Sequence, residues 1–348
     1  MAYTTINKGS SYFNTKIYTG TGATASITGV GFQPDWVWFK NRSTTNSHSL
    51  FDILRGVTKN LITNSTAAES TNTQGLTSFN SDGFTVGNDA DVNGSSNNMV
   101  AWNWLANGAG VSNTAGSISS TVSANTTAGF SIVSYAGAQG SNFTIGHGLS
   151  VTPNIVFAKS RNTADNWGVY YRNNGVNTNF MSLNSTSAQG TNNGSLAGGA
   201  YMVMNSTTLQ IDSTAFANAG SSMIAYCFAE VKGYSKFGSY TGNGSADGTF
   251  VYTGFKPAFV LIKSSSSVEN WHIFDDVRNT FNPVDRDLRP NLANAETTSA
   301  LSNIDFLSNG FKLRNSDADY NGSGTTYIYM AFAENPFVTS GGIPTTAR

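Results

Sequence analysis

The chain has 348 residues and a formal net charge of −1, and only 11% of its residues are charged. Without a Lys/Arg cluster it lacks the electrostatic attraction that dominates nucleic-acid affinity, so no nucleic-acid partner is expected. Its 22 Phe, 14 Tyr and 6 Trp exclude a disordered chain, and no apolar run is long enough for a membrane-inserted helix.

The first residues, MAYTTINKGSSYF, lack the apolar core of a signal peptide, so synthesis and folding in a cytoplasm are expected. Eight strands are predicted before residue 107: KIYTG, SITGV, DWVWFKN, HSLFDIL, NLITN, LTSFN, FTVGN and MVAWNWLA, separated by Gly, Asn, Asp and Ser. DWVWFKN and the later AFVLIKS are apolar on both faces, which predicts that both faces are covered. In SFNSDGFTV, Asp82 and Gly83 suit a hairpin turn, and Asn309 and Gly310 repeat the signal in FLSNGFKL. No segment has a helical period. Residues 108–128 are small and polar and predict a loosely attached linker. Cys227, the one cysteine, lies in the apolar run MIAYCFAE and is expected in a core, with no disulfide framework.

The chain resembles itself three times. GFQPDWVWFKNR, SVTPNIVFAKSR and TGFKPAFVLIKS each place a lysine six residues after a proline, pairing Pro34 with Lys40, Pro153 with Lys159 and Pro257 with Lys263. An aromatic follows each proline by 17 residues (Phe51, Tyr170, Phe274), and Asn precedes Glu or Gln by five in Asn64/Glu69, Asn184/Gln189 and Asn291/Glu296. Trp104, Phe228 and Phe332 align in closing strands. The expectation is an all-β chain of three tandem β-sandwich, jelly-roll-like units over 1–107, 129–233 and 234–338, with the linker at 108–128 and a flexible tail at 339–348.

Two acidic loops read Asp-x-Asp-x-Asn-Gly: Asp89, Asp91 and Asn93, and Asp317, Asp319 and Asn321. Alternate oxygens followed by Gly are the spacing of a calcium loop, but the twelfth position of an EF-hand holds Val100 or Ile328 instead of Glu. Tight turns preceding strands are the favoured reading, with weak calcium binding as the alternative and no other cofactor expected. His48, His147 and His272 occupy unrelated places in the three units and carry no catalytic or metal-ligand spacing, so no enzymatic activity is expected. The pairs Trp36/Trp38 and Trp102/Trp104 each face one side of a strand. Ile155 and Phe157 replace the first pair in the second unit, which favours a dry core over a sugar-stacking surface. A glycan site is expected instead on the loop tips 89–94 and 317–322.

GFQPDWVWFKNRS, SFNSDGF, NTTAGFSIVSY, GYSKFGSYTGNG, VYTGFKPAFV, DFLSNGFK and YIYMAFAENPF resemble a repeated β domain of unassigned activity in structural proteins of tailed phages of marine bacteria. The similarity extends from about Tyr12 to Phe337. It implies a virion location and a non-enzymatic tail-fibre or tail-associated protein, made in the host cytoplasm. The partners implied are other virion proteins, further copies of the chain as a homo-oligomer such as a trimer, and host-surface polysaccharide. An architectural head-decoration or adaptor subunit is the alternative.

Overall fold

The computed structural model describes residues 4–138, 141–173, 176–190, 194–213 and 221–336. The tail expected at 339–348 lies outside them. The protein is all-β, built from antiparallel sheets with a few short helical turns. All eight strands predicted before residue 107 form, each where β-branched and aromatic residues run between turn residues.

Three large sheets carry the architecture. The first runs Phe13–Thr19, Asn98–Trp104, Trp36–Asn41, Ser49–Asp52, then Lys59–Ile62 and Ser70–Thr71. The second contains Phe130–Ala136, Ser222–Phe228, Ile155–Ser160 and Gly168–Asn173 in that order, followed by Val176–Ser182. The third runs Ser235–Thr241, Thr326–Ala333, Pro257–Ser264, Trp271–Asp275. The register places Trp36 opposite Trp104, Ile155 opposite Phe228, and Phe259 opposite Phe332. Smaller three-stranded sheets accompany them, for example Ala25–Thr28, Gly83–Val86 and Leu76–Asn80 beside the first.

Alternation explains the strands that are apolar on both faces. Val37, Phe39 and Ala101 pack with Leu76, Phe84 and Val86 of the small sheet. Trp36, Trp38, Trp102 and Trp104 point the other way, into a core shared by all three large sheets. There Trp104, Phe228 and Phe332 meet pairwise and edge-on, with ring centroids 5.9 to 6.3 Å apart. Edge-to-face pairs of this kind contribute about 0.5–1.5 kcal/mol each beyond area burial.

Backbone hydrogen bonds link the three segments in turn. Glu69 N donates to Arg161 O at 2.8 Å, Gln189 N to Ser265 O at 2.9 Å, and Glu296 N to Arg42 O at 2.9 Å. A second set does the same: Asp165 N to Thr66 O at 2.8 Å, Glu269 N to Thr186 O at 3.0 Å, and Asn46 N to Ala293 O at 3.0 Å.

Two expectations need correction. Residues 108–128 are not a loose linker, because Val111–Asn113 and Ser120–Asn125 extend the second large sheet beyond Phe130–Ala136. Their ladder needs few apolar side chains, and Val122 supplies a buried one. The acidic loops, expected as plain turns, each contain one helical turn, Ala90–Asn93 and Ala318–Asn321, capped by Asp89 and Asp317. Four residues are too few to show a helical period.

Candidate functional site

The acidic loops spend their oxygens internally. Asp89 Oδ1 accepts from Asp91 N and Asp317 Oδ1 from Asp319 N, both at 2.8 Å. Asp91 Oδ1 accepts from Asn46 Nδ2 at 2.9 Å and from Ser47 N at 3.2 Å. Asn93 is fully buried; its amide donates to Gly87 O and Ala23 O, and its oxygen accepts from Thr21 N. Asn321 repeats this with Asn315 O, Ser245 O and Asn243 N. Asp319 instead faces His272, whose Nε2 lies 3.3 Å from its Oδ2 while Nδ1 is 2.9 Å from Asp287 Oδ1. The carboxyl is held below its usual range by His272 and Glu269, against the cost of its burial. Among the described residues, no group of three or more His, Cys, Asp or Glu side chains is arranged to hold a metal ion.

All three histidines are buried, and His48 Nδ1 accepts from Trp38 Nε1 at 2.9 Å. Trp167 and Trp271, which follow Pro153 and Pro257 by the same fourteen residues as His48 follows Pro34, donate across segments, to Ile62 O at 2.8 Å and Ser182 O at 3.0 Å. The ring of His48 lies beside the Arg289 backbone without a well-formed bond to it. The recurring lysines are also fully buried, and Nζ of Lys40, Lys159 and Lys263 donates to the carbonyl of the next residue at 2.8, 3.1 and 2.6 Å. Burial lowers each ammonium to about 8.

Open space of a different character lies between the first and third segments. A cavity of about 440 Å³ separates Asn14 and Thr15 on the edge strand Phe13–Thr19 from Lys256, Asp276, Thr280 and Glu334. A neighbouring cavity of about 270 Å³ shares Lys256, Asp276 and Thr280 and extends to Phe281. Burial, then the neighbouring Asp275 and Glu334, push the Asp276 carboxyl up to about 7, with Lys256 opposing. Lys256 Nζ is already paired with Glu334 Oε2 at 2.7 Å. Thr15 is 6% exposed, and its hydroxyl has no hydrogen-bond partner among the described residues.

The sequence matches a domain of unknown function, DUF7483, over residues 8–336. The chain belongs to this family. No curated protein and no solved structure matches it. In this DUF7483 chain the cavity escaped sequence reasoning because Asp276 aligns with Ile53 and Arg172, which gave the position no pattern. The only signal was the acidic pair Asp275–Asp276 beside a recurring aromatic.

Proposed function

We propose that the chain is a non-enzymatic virion structural protein of a tailed phage, tail-fibre or tail-associated, that contributes to adhesion to host-surface polysaccharide. On this reading the chain is three tandem copies of one β-sandwich unit, 1–107, 129–233 and 234–338, closed into a ring around the Trp104–Phe228–Phe332 contact. The observation that carries it is the cyclic set of bonds from Glu69 to Arg161, Gln189 to Ser265 and Glu296 to Arg42. Each donor ends the recurring Asn-to-Glu/Gln spacing, and each acceptor stands eight residues after a recurring proline.

Such a body has near-threefold symmetry within one chain, the arrangement otherwise expected from three chains, and suits a position on the axis of a symmetric assembly. Other virion proteins are then its structural partners. Immunogold electron microscopy of purified particles tests the location: gold at tail or fibre ends is the expected result, and gold over the head or on no particle refutes it. Binding of the isolated protein to intact host cells tests adhesion, and its absence favours an architectural subunit.

A further inference from the structure

We propose that the cleft between Phe13–Thr19 and the turn after Trp271–Asp275 is a subsite for one or two neutral sugar residues. Asp276 would bond sugar hydroxyls there, and Phe281 would cover a ring face. The inference rests on the adhesion reading and names the place where a host glycan is held, away from the loop tips.

Thr15 gives the first argument. It lies on the same face of its strand as Phe13, which enters the central core, and at 6% exposure it closes the inner wall of the cleft against that core.

The second argument is an asymmetry. Asp276, Ile53 and Arg172 hold the same backbone position, their N–H groups donating to Ala258 O, Asp35 O and Asn154 O at 3.0, 2.8 and 2.8 Å. Beside Ile53, Leu54 is covered by Gly110 of the 108–128 stretch. Beside Asp276, Val277 lines open space. A carboxyl therefore stands at the one of these two places that is left uncovered.

The third argument concerns ligand class. An anion would face Asp276 and Glu334, with Lys256, the one cation among the described lining residues, already paired. Burial disfavours the charged form of Asp276, so the group suits exchange of hydrogen bonds with neutral hydroxyls, as donor or as acceptor. Phe281 is 83% exposed at the rim, an apolar ring available to the C–H face of a pyranose. The cavity falls within the roughly 300–1,000 Å³ typical of small-molecule sites.

The test is saturation-transfer NMR of the full chain against neutral hexoses, deoxyhexoses and N-acetylhexosamines as mono- and disaccharides, with calcium and a primary amine as competing probes. Host-cell binding is measured in parallel. The expected result is saturation transfer to at least one sugar, weakened about tenfold or more by Phe281→Ala and by Asp276→Ala. Because Phe281 is exposed, its substitution leaves folding intact. Sugar binding undiminished by both variants overturns the subsite while adhesion stands. Cell binding without any sugar bound does the same, and binding of amine or calcium in place of sugar overturns the ligand class. Absence of both sugar and cell binding overturns the adhesion reading and the subsite together.

Discussion

Tyr226→Phe isolates one bond between two segments. The Tyr226 hydroxyl donates to Asp52 Oδ2 at 2.7 Å, and both residues are fully buried. The ring stacks on Trp36 at 4.5 Å, a contact that phenylalanine keeps, so only the hydroxyl is lost. Hydrogen bonds to charged groups contribute about 1.5–3 kcal/mol. Arg55 still holds the same carboxylate, which places the expected loss near the middle, about 2 kcal/mol. With an unfolding entropy of about 2.1 cal/mol/K per residue, that loss lowers the melting temperature by about 3 °C if the whole chain unfolds together. Chemical denaturation followed by tryptophan fluorescence measures it, with Tyr252→Phe, at an exposed tyrosine, as the control. A double-mutant cycle with Asp52→Asn should return a coupling of about 1–2 kcal/mol. A Tyr226→Phe cost equal to the control, together with coupling below about 0.5 kcal/mol, would refute the claim that this bond joins the segments.

Further expectations concern titration and the loops. The folded Lys40 titrates near 8 against 10.5 for the unfolded side chain, so the unfolded chain holds more protons between those values. Stability should therefore rise from about pH 8 to 9.5, and Lys40→Met should lower that slope in denaturant melts without abolishing it, because Lys159 and Lys263 share it; an unchanged slope counts against the assignment. Asp276 has the opposite sign, with a folded value of about 7 against 3.8, so its contribution to stability falls as pH rises through that window. Asp276→Asn should remove that fall, and identical pH profiles for variant and parent would contradict it. Asn321→Ala should cost about 2 kcal/mol, measured by denaturation, because it leaves the Ser245 and Asn315 carbonyls unpaired. Calcium should give no heat and no change in melting temperature for the parent chain; a saturable rise would restore the calcium reading of Asp317, Asp319 and Asn321.

Strand positions were legible because turn residues punctuate runs such as DWVWFKN and MVAWNWLA. The fate of the paired tryptophans was also legible, since Ile155 and Phe157 stand in for Trp36 and Trp38, an exchange that favours a dry core, and all four are buried. What periodicity could not supply was arrangement. The spacing from Asn64 to Glu69 marks an aligned position whether units lie in a row or close on one another, and only the bond from Glu69 N to Arg161 O reveals its partner. STVSAN was read as linker because a strand held by ladders on both sides needs little apolar surface. Asp276 was missed for the opposite reason: what isolates it is a cavity formed by residues about 260 positions away, which no local pattern records.

The distribution of polar links is what the ring proposed above requires. The first and third segments are the pair most distant in the chain, and there Arg42 grips Glu296 with bonds of 2.9 and 2.7 Å. Arg278 adds a bond to the same carboxylate at 2.9 Å, and Trp102 Nε1 donates to Asp275 at 3.0 Å. The first and second segments are joined through Arg161 and Glu69 and through Tyr226 and Asp52. Between the second and third, Ser265 and Gln189 hold the aligned places, and two uncharged side chains cannot form an ion pair. That interface follows directly along VKGYSKFGSYTG, so the covalent connection already keeps its halves at high effective concentration. The charge-assisted bonds therefore join the first segment to both of its neighbours alike, through Arg42–Glu296 and Trp102–Asp275 on one side and Arg161–Glu69 and Tyr226–Asp52 on the other.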